Sequence, residues 1–209
     1  MEIIAHRGFW NDVSEQNSDV AFERALSNGF GIETDLRDYN QKIVISHDIA
    51  NNSSMTLIRF LEICNKYSNK LVLALNVKSD GLQEILRNTD IGNKHFYFDM
   101  SVPDMFGFLR KDMVFYSRYS DVELSPSLYD KADGIWLDNF SDAQLNIDAL
   151  ERFLEHDKSV VLVSPELHKR KEFEYWQTLK NILNEHPEWA NKIALCTDFP
   201  SKARDFFHG

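Results

Sequence analysis

The sequence predicts an α/β protein, a single compact (β/α)8 TIM barrel whose second strand is extended by a β-hairpin. Three observations predict it. Short β-rich runs alternate with helix-period segments along nearly all of the 209 residues. Several of these runs are continuously apolar rather than alternating, as befits strands covered on both faces. Polar residues follow the apolar runs repeatedly on what would be one rim, where such barrels carry their chemistry. No linker, low-complexity segment or internal repeat divides the chain, so 1–209 reads as one domain.

The elements follow in order. The first strand is IIA (3–5), running into His6-Arg7, and a helix fits 18–28. The second strand, GIETDL (31–36), carries Glu33 and Asp35 at alternate positions and so on one face. Too few residues lie between Leu36 and Ile43 for a parallel crossover, so the chain must turn back antiparallel. Asp38-Tyr39-Asn40-Gln41 supplies the turn. Centred near Asn40, that turn sets His47 opposite Glu33 and Ile45 opposite Asp35, and a one-residue slip would move His47 off the face.

A helix fits 56–67, followed by LVLALNV (71–77) with Asn76 and Lys78 at its end. Another fits 81–89, followed by HFYFDM (95–100) with Asp99. MVFYS (113–117) leads to Ser117-Arg118, and GIWLD (134–138) carries Trp136 and Asp138. Helices at 141–155 and 170–185 flank SVVLVS (159–164), which leads to Glu166. KIALCT (192–197) ends at Thr197-Asp198.

A net charge of −10 argues against a non-specific nucleic-acid binder, which needs a basic face. No apolar run approaches a membrane span, and Met1-Glu2 leads directly into IIA without the charged and apolar regions of a signal peptide. The two cysteines, Cys64 and Cys196, suit buried free thiols better than a disulfide framework. The expected compartment is the cytoplasm.

Four stretches in order, AHRG, QNSDVAF, IETD and VISHD, together with CTDFP near the end, resemble the glycerophosphodiester phosphodiesterase family of phospholipase-C-like phosphodiesterase barrels. The strong match covers about the first quarter of the chain. The resemblance implies a phosphoric diester hydrolase that cleaves a small or headgroup-like phosphodiester to an alcohol and a phosphomonoester. It makes His6 and His47 the general acid–base pair, gives Arg7 to the phosphate, and gives Glu33 and Asp35 to a divalent metal. The chemistry is coherent. A cation and an arginine fork neutralise phosphate oxygens, one imidazole takes a proton while the other gives one, and hard carboxylate oxygens favour Mg²⁺ or Ca²⁺.

The departures define what is left open. Gln16-Asn17-Ser18 stands where the family has Glu-Asn-Thr, and Asn76, two before Lys78, stands for its third metal-binding carboxylate. Either Asn76 ligates through its amide oxygen or Asp99 supplies the missing acid. Lys78 either neutralises a phosphate oxygen or pairs with an acid of the site, and Trp136 either stacks on substrate or packs in the core. Seven residues separate Asp48 from Thr56, leaving no room for the subdomain the family commonly inserts there. Two further functions compete: a degenerate barrel that binds phosphorylated sugars or lipid headgroups without turnover, and an unrelated barrel enzyme such as a sugar-phosphate isomerase or lyase.

Overall fold

The computed structural model describes residues 1–209. They form a mixed α/β fold with ten strands, of which β1, β2 and β5–β10 pair in parallel while β3 and β4 run antiparallel to their neighbours. The elements in chain order are β1 (Glu2–His6), α1 (Asp19–Ser27), β2 (Gly31–Tyr39), β3 (Lys42–Ile45), β4 (Met55–Thr56) and α2 (Leu57–Cys64). Next come β5 (Leu73–Val77), α3 (Gln83–Arg87), β6 (His95–Phe98), α4 (Val102–Arg110), β7 (Tyr116–Tyr119) and β8 (Gly134–Leu137). The chain ends with α5 (Ile147–Glu155), β9 (Ser159–Val163), α6 (Phe173–Glu185), β10 (Ile193–Thr197) and α7 (Pro200–His208). No helix is long and apolar enough to cross a membrane, and Cys64 and Cys196 are free and buried.

Two compact units emerge from the contacts, Ile4–Phe115 in one and Met1–Ile3 with Tyr116–Gly209 in the other. In the first, β1, β2, β5 and β6 pair in parallel, and a bridge joins Tyr97 to Phe115. The registers decide which side chains meet. His6 is the partner of Glu33, and Asp35 is the partner of Asn76, so four polar residues share one face of the sheet. The opposite side of the unit is closed by α1 and α2, whose Phe22 and Phe60 meet edge-on at 4.8 Å between ring centroids.

The β2–β3 hairpin is the first correction to the sequence reading. Asn40 and Gln41 both adopt left-handed backbone (φ 48° and 62°), making a two-residue turn rather than one centred on Asn40. Leu36 therefore pairs with Ile45 and Tyr39 with Lys42, one residue out from the expected register. The slip does not decide where His47 points, because β3 stops at Ile45. His47 lies in the loop beyond, where strand parity does not apply.

Helices differ from expectation for local reasons. The sequence reading leaves 102–110 unassigned, and this segment forms α4. Ser101 caps it, accepting the Asp104 N–H at 3.3 Å, with Pro103 in the first turn where its missing N–H costs nothing. The helix expected from 141 begins only at Ile147, because Asn139 and Asp142 hold 139–144 in a side-chain-bonded loop and Asn146 provides the cap. The segment between β7 and β8 has no helix at all.

In the second unit β7, β8, β9 and β10 pair in parallel in that order. Its core holds Trp176 and Phe153, with Phe206 and Phe207 packed within 6 Å of the Trp176 ring. Buried Glu166 accepts from Ser164, Thr197 and the Asp198 N–H, which ties the ends of β9 and β10 together. Burial pushes its carboxyl above the usual range.

Candidate active site

The site is built where β1 hands over to a strained turn. Arg7 (φ 56°) and Gly8 (φ 85°) are both left-handed, and a Cβ on residue 8 would meet the Ala21 backbone at 2.9 Å. Only glycine fits there. The turn lets the Arg7 N–H donate to the Glu33 carbonyl at 3.0 Å and lie 3.3 Å from Glu33 Oε2, while the side chain swings toward Asp35. Asn17 (φ 57°) and Asp99 (φ 65°) are left-handed as well, a region that Asn and Asp adopt more readily than other side chains.

Two acids lie at the centre, Glu33 at 2 % and Asp35 at 1 % exposure. Asp35 is well compensated: Arg7 Nε stands 3.4 Å from Oδ2 and Lys78 Nζ 3.4 Å from Oδ1, and the Asn17 amide donates to Oδ2 at 2.9 Å. Glu33 is less so. His6 Nε2 lies 3.8 Å away, yet burial, followed by the neighbouring charge of Asp35, outweighs His6, Lys78 and Arg7 and pushes the Glu33 carboxyl up to about 7.

That shift has a sign in stability. Between its ordinary 4.5 and about 7, native Glu33 keeps a proton that the unfolded chain releases. Metal-free protein should therefore be most stable below pH 4.5 as far as Glu33 is concerned, and lose on the order of 1–3 kcal/mol as pH rises through 7. Urea unfolding at pH 5 and pH 8, in chelator, measures this. Glu33→Gln should flatten the difference, and an equal pH dependence in both proteins would show that ionising Glu33 costs nothing.

Asn76, 6 % exposed, donates through Nδ2 to Asp99 Oδ2 at 3.0 Å. Its amide is thereby oriented, and its Oδ1 is left buried with no hydrogen-bond partner. No group of three His, Cys, Asp or Glu side chains is arranged to hold a metal. Asn76 is the register partner of Asp35, so the donors that could serve a hard divalent cation here are the carboxylates of Glu33 and Asp35 and the orphaned Asn76 oxygen.

His47 is reached differently. It is 44 % exposed, and its Nδ1 pairs with exposed Asp48 at 2.9 Å. A carboxylate partner assigns the proton to Nδ1 and leaves Nε2 bare in the neutral ring. Arg37 anchors the loop by donating to the His47 carbonyl at 3.0 Å. His47 and Arg7 line one cleft of about 700 Å³ together with Gln16, Asn17 and Asp48. Arg7 thus connects the cleft to the buried acids.

The structure brings His6, Arg7, Glu33, Asp35, Asn76, Lys78 and Asp99 into one chain of contacts within the first unit. Trp136 lies in β8 of the other unit at 4 % exposure, a burial that suits a core ring better than a stacking surface. Asn17 and Gln16 were singled out in sequence only as part of a motif. Asn17 proves to be a junction: it donates to Asp35, accepts from Thr34 Oγ1 at 2.8 Å, and its N–H bonds the Arg7 carbonyl at 3.0 Å. Gln16 accepts from Arg7 Nη1 at 3.1 Å. In the other unit His168 and Asp138 form a second pair at 2.7 Å.

The sequence matches no protein-family model, and no curated protein is similar to it in sequence. Solved structures are similar in fold over the whole chain. A protein of Galdieria sulphuraria assigned as a glycerophosphodiester phosphodiesterase superposes with a TM-score of 0.75 at 15% identity, covering 100% of this chain and 98% of that one. A phosphodiesterase of Oleispira antarctica, solved with its product sn-glycerol-3-phosphate, gives 0.71 at 13% identity over 100% and 97%. The glycerophosphodiester phosphodiesterase of Agrobacterium tumefaciens gives 0.70 at 13% identity over 100% of both chains. At such identities the likeness is one of architecture, and the chain has the fold of the glycerophosphodiester phosphodiesterases of known structure.

Proposed function

We infer that the chain is a single-domain (β/α)8-barrel phosphodiesterase that cleaves a small or headgroup-like phosphodiester to an alcohol and a phosphomonoester. One observation carries the reading: Arg7 touches the buried acids on one side and shares a cleft with His47 on the other. A phosphate seated on Arg7 would meet both a charge-neutralising and a proton-transferring group. The fold likeness to known phosphodiesterases supports the same class of reaction.

In this mechanism the guanidinium of Arg7 and the ammonium of Lys78 bind the phosphate oxygens, with Asp35 holding both in place. Asp48 keeps the proton on His47 Nδ1, so Nε2 takes the proton of the attacking hydroxyl; water gives the phosphomonoester directly, whereas a neighbouring substrate hydroxyl gives a cyclic phosphate that water then opens. His6, beside the Glu33 carboxyl, gives a proton to the leaving alkoxide. Glu33, Asp35 and Asn76 would hold Mg²⁺ or Ca²⁺, with Asp99 orienting the Asn76 amide. When bound, such a cation supplies Lewis-acid withdrawal of charge from the phosphate.

A binding protein without turnover is the second reading, favoured by one observation: Arg7 and Lys78 each stand 3.4 Å from Asp35, so this acid has two cationic side chains as partners. Hydrolysis of a phosphodiester panel with and without divalent cation separates the two. Metal-dependent release of phosphomonoester is expected. Binding without release in every cation tested would establish the second reading instead.

A further inference from the structure

The cleft beside Arg7 is larger than a phosphate and a small alcohol require. At about 700 Å³ it lies within the range of pockets that enclose drug-sized ligands. Its lining includes Asn51, Ser53, Ser54 and Met55 from the connection between β3 and α2, and Arg59, which is bonded to Asp19 at 2.7 Å.

The chemistry of the lining narrows the occupant. Not one Phe, Tyr or Trp side chain lines it, so it lacks the aromatic cage that recognises quaternary ammonium groups. Its charged groups balance, with Arg7 and Arg59 against Asp19 and Asp48. Between them the wall presents short hydroxyl and amide side chains, Gln16, Ser18, Asn51, Ser53 and Ser54, next to the exposed aliphatic carbons of Val13 and Ile49. Hydroxyls and amides donate and accept with equal ease, and small aliphatic patches suit the C–H faces of a ring.

We propose that this cleft holds the alcohol part of the diester and that this part is a neutral polyhydroxylated group of sugar or cyclitol size, not a cationic choline-like one. The proposal rests on the phosphodiesterase reading and specifies its substrate. Two or three neutral hydrogen bonds from the wall give a preference of about tenfold or more in kcat/KM for glycerophosphoinositol over glycerophosphocholine. Ser53→Trp, at an exposed loop position, fills the cleft and offers a ring to a cation, so it should collapse that ratio toward one.

The experiment measures kcat/KM for both diesters with wild type and Ser53→Trp. It also measures calorimetric binding of both intact diesters to wild-type protein in chelator. A higher kcat/KM for the inositol diester, reduced by Ser53→Trp, is the expected result. A choline diester that is turned over as well or better overturns the cleft assignment while leaving the phosphodiesterase reading intact. If neither diester is cleaved, the phosphodiester panel decides that reading and binding decides the cleft: tighter inositol diester upholds the assignment, equal or tighter choline diester overturns it.

Discussion

His6→Ala and His47→Ala are each expected to lower kcat by about 10²–10⁴-fold, the usual contribution of a positioned general acid or base. The two variants should fold. His47 is half-exposed in a loop beyond β3, and His6, at the end of its strand, keeps 16 % of its side chain exposed. Their pH profiles should differ, since removing the base abolishes one limb of the pH–rate curve and removing the acid abolishes the other. Because the two act in one reaction, the double variant should lose far less than the product of the single losses. Steady-state kinetics with circular dichroism as a folding control measures this. Near-wild-type turnover in either variant would take that histidine out of the mechanism.

Asp35→Asn should have a comparable effect by another route. It removes the charge that holds Arg7 and Lys78 and one of the two carboxylates proposed for the cation. Outer-shell partners of a metal are typically worth about 10–100-fold in affinity, and a direct ligand should cost at least that. Titration with Mg²⁺ or Ca²⁺ by calorimetry should show the loss, and turnover should fall with it. The amide can still accept from Asn17, so the packing around residue 35 should persist. Unchanged cation affinity in Asp35→Asn would remove Asp35 from the ligand set and leave it a pure partner of Arg7 and Lys78.

These two predictions rest on residues of very different legibility. His6, Glu33, Asp35, Asn76 and Asp99 stand at or just past the ends of apolar runs, and strand runs are local patterns read directly from alternation and burial. The registers that align His6 with Glu33 and Asp35 with Asn76 come from the pairing of β1 and β5, five residues each, along the nine-residue β2, which the spacing in the chain does not set. The hairpin was legible as an antiparallel return, but its register was not. Asn40 and Gln41 both had to take left-handed backbone, and whether one or two residues sit at the tip is a choice among turns of similar cost. The helix α4 has its start written in Ser101 and Pro103, a cap and a first-turn proline.

What the sequence determined by itself was the α/β alternation, the strand ends, and the residue types delivered to them, because each depends on neighbours a few positions away. Only the tertiary structure decided how charge is distributed among them. Asp35 takes Arg7, Lys78 and Asn17 as partners from 28, 43 and 18 residues away, while Glu33 is left with too little compensation and holds its proton up to about 7. It also decided that the Asn76 amide turns its nitrogen to Asp99 and leaves its oxygen without a partner. Desolvation and ion pairing depend on distances through space, in a medium where a few ångströms reorder which charge wins, and no spacing along the chain encodes them.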